Sequence, residues 1–137
     1  MDIRKTRYCV YAIEYHIVWC TKYRKKVLTD SIKDDLISML RLYCINNKLE
    51  MLECNTDLDH IHMLISANPM TVLPDIIKGM KGSTARELFK KHPKLKEKLY
   101  DGHLWSASYF IATKSENTET QIRNYIQSQG DDENDGT

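Results

Sequence analysis

The stretch "NTDLDHIHMLISAN", residues 55–68, decides the architecture of this chain. On a β-strand every second side chain shares a face, so His60 and His62 stand side by side with Cα atoms about 6.5–7 Å apart. Ile61, Met63 and Ile65 take the opposite face, whose apolar content marks it as the core side. Leu64 and Ser66 accompany the histidines, so that face is neither wholly wet nor wholly buried. Two imidazoles held this way are either ordinary polar residues on an open sheet face or two ligands of one metal ion. The pair alone does not choose, because protein metal sites commonly use three or four ligands.

Outward from this strand, residues 49–56 and 59–67 read as two strands of a hairpin turning near Asn55–Asp57. Upstream, "YCVYAIEYHIVWC" (residues 8–20) is rich in aromatic and β-branched residues and predicts a long strand, closed by the basic turn "TKYRKK". Between them, Ile32, Leu36, Met39, Leu40 and Tyr43 recur at helical spacing, with Asp30 or Ser31 as N-cap and Asn46–Asn47 as a stop. Downstream, "ANPMT" is a turn and Pro74 suits the first turn of a helix reaching about Lys91. Its inward residues are Ile76, Ile77, Met80, Ala85, Leu88 and Phe89. Gly79 and Gly82 are unfavourable in its interior by about 1 kcal/mol each; they predict either the close approach of a backbone or phosphate, or poor packing. "LWSASYFIATKS" predicts a last strand, and "NTETQIRNYIQSQ" a final helix capped by Asn117 or Thr118.

The order is β-α-β-β-α-β plus one more helix, an α+β fold of the ferredoxin-like kind. It implies an antiparallel sheet with two helices on one face. The other face, where His60 and His62 lie, is left for something else.

At 137 residues the chain is most simply one domain, spanning residues 1–130, followed by an acidic tail, 131–137, expected to be disordered. No apolar run is long enough to span a membrane and no signal-peptide pattern opens the chain, which predicts a cytoplasmic protein. Cys9, Cys20, Cys44 and Cys54 lack C-x-x-C spacing and read as buried hydrophobes rather than a zinc or disulfide framework. The net charge of +1 conceals an uneven distribution, for the tail carries −4 and residues 1–130 therefore +5. Residues 78–98 hold eight Lys or Arg against two Glu, and Lys22, Arg24, Lys25 and Lys26 form a second cluster. Such surfaces suit polyanions through counterion release, or are simply solvated faces.

On the last helix, Tyr125 and Gln129 lie four residues apart on one face with Ile122 and Ile126 beside them. Tyr125 is either part of an amphipathic stripe or a nucleophile, with the amide oxygen of Gln129 a third metal ligand. Tyrosine is a poor nucleophile at its ordinary pKa near 10 and needs a base or a metal-polarised target. His16, His92 and His103 are further histidines, expected to be sheet-facing or at an interface, solvated, and at the start of the last strand. Asp57 and Asp59 are candidates to orient an imidazole, although Asp59 alternates away from His60 along a regular strand.

Together these segments resemble the single-tyrosine HUH transposases of the insertion sequence 200/605 type. The resemblance is carried by "YHIVWCTKYRKKVL", "DHIHMLIS", "KGMKGSTARELF", "LWSASYF" and "RNYIQSQ", in the family's order over almost the entire chain. It implies a single-stranded DNA transposase in which His60, His62 and Gln129 bind a divalent ion, magnesium or manganese, and Tyr125 is the nucleophile. Cleavage would leave a 5′-phosphotyrosine and a free 3′-hydroxyl, able to rejoin new ends. The resemblance further implies DNA hairpins as bound substrate and a homodimer with active sites shared between subunits. Lys22, Arg24, Lys25, Lys78, Lys81, Arg86 and Lys90 are the candidates for DNA contact. Three alternatives stay open. The first is a domesticated relative processing chromosomal repeat hairpins, the second a non-catalytic nucleic-acid-binding ferredoxin-like domain, and the third a hydrolase using the histidine pair with water. Tyr125 and Gln129 favour strand transfer.

Overall fold

The computed structural model describes residues 3–5, 10–11, 13–113 and 117–134; for residues 4, 5, 10, 11 and 130–134 it describes the backbone alone. Cys9, the ends of the predicted first and last strands and the last three residues of the tail lie outside the described residues. A small antiparallel hairpin, β1 (Arg4–Lys5) with β2 (Val10–Tyr11), precedes the main body. The body follows the order β3 (Glu14–Cys20), α1 (Asp30–Asn46), β4 (Glu50–Thr56), β5 (His60–Ser66), α2 (Leu73–Lys91), β6 (Phe110–Thr113) and α3 (Thr118–Asn134). The β3, β4, β5 and β6 strands form one antiparallel sheet in the order β4-β5-β3-β6. That is the α+β, ferredoxin-like arrangement expected from the order of elements.

The alternation expected of residues 60–66 holds. Ile61, Met63 and Ile65 are fully buried, as are Ile17 and Trp19 on the neighbouring β3. Against this side pack Ile32, Leu36, Leu40 and Cys44 from α1 and Ile77, Met80 and Leu88 from α2. Trp19 meets Trp105 edge to face at 5.8 Å, and Trp105 donates its indole N–H to Thr84 at 3.1 Å. These aromatics tie α2 and the segment before β6 to the sheet centre.

Four local expectations are corrected. The predicted 8–20 strand is divided, with the central strand starting at Glu14. The last regular strand covers only Phe110–Thr113, while Trp105 makes an isolated bridge to Thr21. The N-cap of α1 is Thr29 and makes no side-chain cap hydrogen bond. Gly79 leaves room neither for a backbone nor for a phosphate; a Cβ there would stand 1.9 Å from the Tyr43 hydroxyl, so the glycine admits a side chain of α1.

The third helix runs on to Asn134, so the acidic stretch begins inside α3 rather than after it. Of the cysteines described, Cys20, Cys44 and Cys54 are free thiols. Burial pushes Cys44 and Cys54 up to about 11, which keeps them protonated and inert. Among the described residues no helix is long and apolar enough to cross a membrane.

Candidate active site on the second sheet face

The face of the sheet opposite α1 and α2 carries His60 and His62 from β5, His16, Val18 and Cys20 from β3, and Phe110 from β6. This follows from the register, which sets Cys20 opposite His60, Val18 opposite His62 and Phe110 opposite Val18. Across this face, over β3 and β6, lies α3. Its inward residues Thr118, Ile122 and Gln129 are buried, and Tyr125 and Ile126 are half-buried. These positions fall on one helical stripe. Tyr125 lies against Phe110 with ring centroids 5.8 Å apart. Glu119 on the first turn of α3 is near enough to His62 to exert a favourable charge effect on its protonated form. The tyrosine helix therefore lies on the same sheet face as the histidines of its own chain.

Each histidine of the pair has its own support. His60 Nδ1 is 2.8 Å from Asp59 Oδ1, which leaves Nε2 as the unsupported ring nitrogen. Asp59 is buried and its second oxygen accepts from Arg24 Nε at 3.2 Å. The expectation that Asp59 alternates away from His60 is thus corrected. Asp59 ends the turn before β5 rather than lying within the strand, so strand alternation does not govern it. Arg24 reaches it because Tyr23 and Arg24 both adopt positive φ, 57° and 51°. Two consecutive non-glycine residues in the left-handed region are costly locally, and the tight turn they make aims the guanidinium at the carboxylate. Asp57 instead caps its own turn by accepting from the Leu58 amide.

His62 Nε2 lies 2.8 Å from Nδ1 of His16, which is itself buried. Burial, with the neighbouring His16 second, holds the His62 pKa below its ordinary value and favours the neutral imidazole that a metal requires. His16 is sheet-facing as expected. His92 departs from its expected solvation, for its Nε2 is 2.6 Å from Asp35 Oδ2 and ties the end of α2 to α1. His103 is exposed in the irregular segment ahead of β6.

Ser106 and Ser108, within the predicted last strand, supply hydrogen-bond partners to Tyr125 and Gln129. Gln129 Oε1 accepts from Ser106 Oγ at 2.9 Å and Ser108 Oγ at 2.6 Å. The Ser108 hydroxyl is also 2.7 Å from the Tyr125 hydroxyl. Ser106 and Ser108 both reach Gln129 from the irregular segment that precedes β6. The segment is held by Lys81, whose ammonium donates to the carbonyls of Ser106 at 2.5 Å and Ser108 at 3.1 Å.

The remaining basic candidates come from the turn after β3 and from α2. Lys22 pairs with Asp101 at 3.1 Å and Lys90 with Glu87 at 3.5 Å. Lys25, Lys78 and Arg86 are exposed. Lys78 and Lys81 border a cavity of about 610 Å³ that Phe89, His103, Trp105 and Tyr109 also line.

Among the described residues no three His, Cys, Asp or Glu side chains converge on one point, so two histidines need an oxygen of another kind to complete a metal site. The neutral amide oxygen of Gln129, on the helix covering this face, suits that need. As donor types, imidazole nitrogens and an amide oxygen suit manganese better than magnesium.

The family model for IS200-like transposases matches residues 9–129. The chain belongs to this transposase family. It is 46% identical over 133 residues to the ISDra2 transposase TnpA of Deinococcus radiodurans, covering 97% of this chain and 95% of that protein. The IS200 transposase of Salmonella typhimurium is 30% identical over 116 residues, covering 85% and 76%. A crystal structure of a Deinococcus radiodurans transposase superposes with a TM-score of 0.88 at 42% identity, over 92% of this chain and 97% of that one. The fold is shared more distantly, with a TM-score of 0.56 at 10% identity, by a REP-associated tyrosine transposase solved with a REP hairpin; 95% of this chain and 76% of that one are covered. Within this transposase, His60 and His62 of β5 lie on the sheet face over which α3 sets Tyr125, against Phe110 of β6.

Proposed function

We propose that this transposase cuts and rejoins single-stranded DNA at transposon ends through Tyr125. The observation that carries the reading is that Tyr125 and Gln129 lie on the inward stripe of α3, which packs over β3 and β6 on the sheet face that bears His60 and His62. The Tyr125 hydroxyl attacks the scissile phosphorus, forming the Oη–P bond as the P–O3′ bond breaks. The phenolic proton passes to solvent as the Oη–P bond forms, and the departing O3′ takes up a proton from solvent. The product is a 5′-phosphotyrosine and a free 3′-hydroxyl. Attack by a 3′-hydroxyl in the reverse sense joins new ends without ATP, because the phosphodiester energy stays in the tyrosine ester.

His60, His62 and the Gln129 amide oxygen would hold a divalent ion, magnesium or manganese, which would supply charge neutralisation and polarisation of the phosphate. In the arrangement described, both acceptor positions of Gln129 Oε1 are taken by serine hydroxyls and Tyr125 rests on Ser108. We read this as a resting position. For cleavage α3 leaves the serines, and in a homodimer its Tyr125 serves the histidines of the partner subunit. DNA hairpins are the bound form of the ends, a reading supported by the hairpin held by the REP-associated transposase of the same fold.

The decisive assay incubates labelled single-stranded DNA from the flanks of the gene with protein and manganese, or with chelator, and resolves products on a denaturing protein gel. The expected result is a metal-dependent covalent adduct that is absent from Tyr125→Phe. Salt-sensitive binding unaffected by chelator and by Tyr125→Phe would support a non-catalytic binding domain instead. An adduct with chromosomal repeat hairpins but not with transposon ends would identify a domesticated enzyme.

A further inference from the structure

His16 is absorbed by none of the roles above, yet it is buried and makes a 2.8 Å contact with a residue of the histidine pair. It lies on β3 opposite Leu64, and His62 opposite Val18, so the two histidines are diagonal neighbours on one face. His60 lies further along, opposite Cys20. His16 therefore flanks His62 on the side away from His60. The three rings do not converge, which places His16 behind His62 rather than beside it as a third ligand.

The two histidines of β5 are thus treated alike. One ring nitrogen of His60, Nδ1, is fixed by Asp59, and one ring nitrogen of His62, Nε2, is fixed by His16. A histidine that binds a metal through one nitrogen generally engages a neighbour through the other, which sets its tautomer and ring orientation. The ring planes of His16 and His62 are tilted by 35° with centroids 5.1 Å apart, so the contact runs nitrogen to nitrogen rather than face to face. Burial on the covered sheet face leaves His16 few other orientations.

We infer that His16 is a positioning residue for metal binding: it accepts the Nε2–H of His62 at its own Nδ1 and so presents His62 Nδ1, together with His60 Nε2, to the ion. This rests on the proposed metal role of the pair. It assigns the buried histidine of "YHIVWC" a task that needs a hydrogen-bond acceptor at one place and nothing else. Asparagine, whose amide oxygen can occupy the position of the histidine Nδ1, meets that need; leucine fills similar space without it.

The test titrates the full chain with Mn²⁺, reading free ion by electron paramagnetic resonance and counting coupled histidine nitrogens at saturation by pulsed methods. Wild type, His16→Leu, His16→Asn and His62→Ala are compared, with thermal melts of each. Loss of such a partner generally weakens metal binding 10–100-fold, so His16→Leu should bind Mn²⁺ at least about tenfold more weakly, and His16→Asn within about threefold of wild type. His16→Leu at saturation should still show two coupled imidazoles, and His62→Ala one. Wild-type affinity in His16→Leu, or equal weakening in His16→Leu and His16→Asn, would overturn the inference. A coupled nitrogen lost from His16→Leu would also overturn it, by making His16 a ligand. If His62→Ala binds like wild type, or wild type binds no Mn²⁺, the metal reading itself fails and the inference with it.

Discussion

The buried carboxylate of Asp59 joins two features that are far apart in sequence, the basic turn after β3 and the first histidine of β5. Removing it leaves His60 without its Nδ1 partner and Arg24 without its acceptor. Asp59→Ala should therefore lower Mn²⁺ affinity about 10–100-fold, measured by titration of the free ion, and affinity unchanged within error would count against the orienting role. At Tyr125 the expected separation is between chemistry and binding. Tyr125→Phe should form no covalent adduct while hairpin affinity, followed by gel shift, stays near wild type; a matching loss of affinity would argue for a packing role against Phe110. At this scale the residues with a chemical signature were legible: paired histidines, a tyrosine and a glutamine at helical spacing. His16 and the two serines were not, because a histidine or serine in a strand carries no mark of what its side chain will meet across the sheet. Their partners lie 46 residues away for His16 and 21 and 23 for the serines.

Among the elements, α3 and the segment before β6 act as a pair. The helix is held by hydroxyl-to-amide hydrogen bonds and a modest apolar stripe, whereas α1 and α2 are anchored in the main core. Changing Ser106 and Ser108 together to Ala should raise hydrogen exchange in α3 while leaving α1 and β5 amides protected, since local openings draw on local contacts. Lys81 belongs to the same unit. Its two bonds to the Ser106 and Ser108 carbonyls predict that Lys81→Ala loosens this segment, whereas Lys78→Ala on the exposed side of α2 should chiefly weaken DNA binding. For a phosphate-contacting Lys78, the slope of log affinity against log salt should fall by about one. A change in α3 exchange from Lys78→Ala, or none from Lys81→Ala, would reverse the assignment. Element types were readable from period and composition. Element ends were less so, because the cut in the first strand and the shortness of β6 follow from pairing partners rather than from local preference.

For the whole molecule, the shared core under α1 and α2 sets stability. Leu36 is fully buried between α1 and the sheet, and Leu36→Ala should cost about 2–5 kcal/mol in denaturant melts. The link between the ends of α1 and α2 is electrostatic. His92, and after it Lys91, hold the Asp35 carboxyl below its ordinary value of 3.8. A depressed carboxylate pKa stabilises the fold above the ordinary value and loses that contribution as pH falls through the folded-state value. The stability gap between wild type and Asp35→Asn should thus shrink as pH drops below about 3.8 in pH-resolved thermal melts, and a gap that widens there would refute the pairing. The amino-acid sequence by itself determined the order of strands and helices, the core face of β5 and the chemical identity of Tyr125, Gln129, His60 and His62. Periodicity and residue chemistry are local properties, and the sequence displays them directly. Only the tertiary structure decided that α3 packs on the sheet face that bears the histidines, that Asp59 meets His60, that His16 meets His62 and that two serines hold the tyrosine helix. Those facts depend on strand order and register, which bring together side chains whose separation along the chain gives no sign of their meeting.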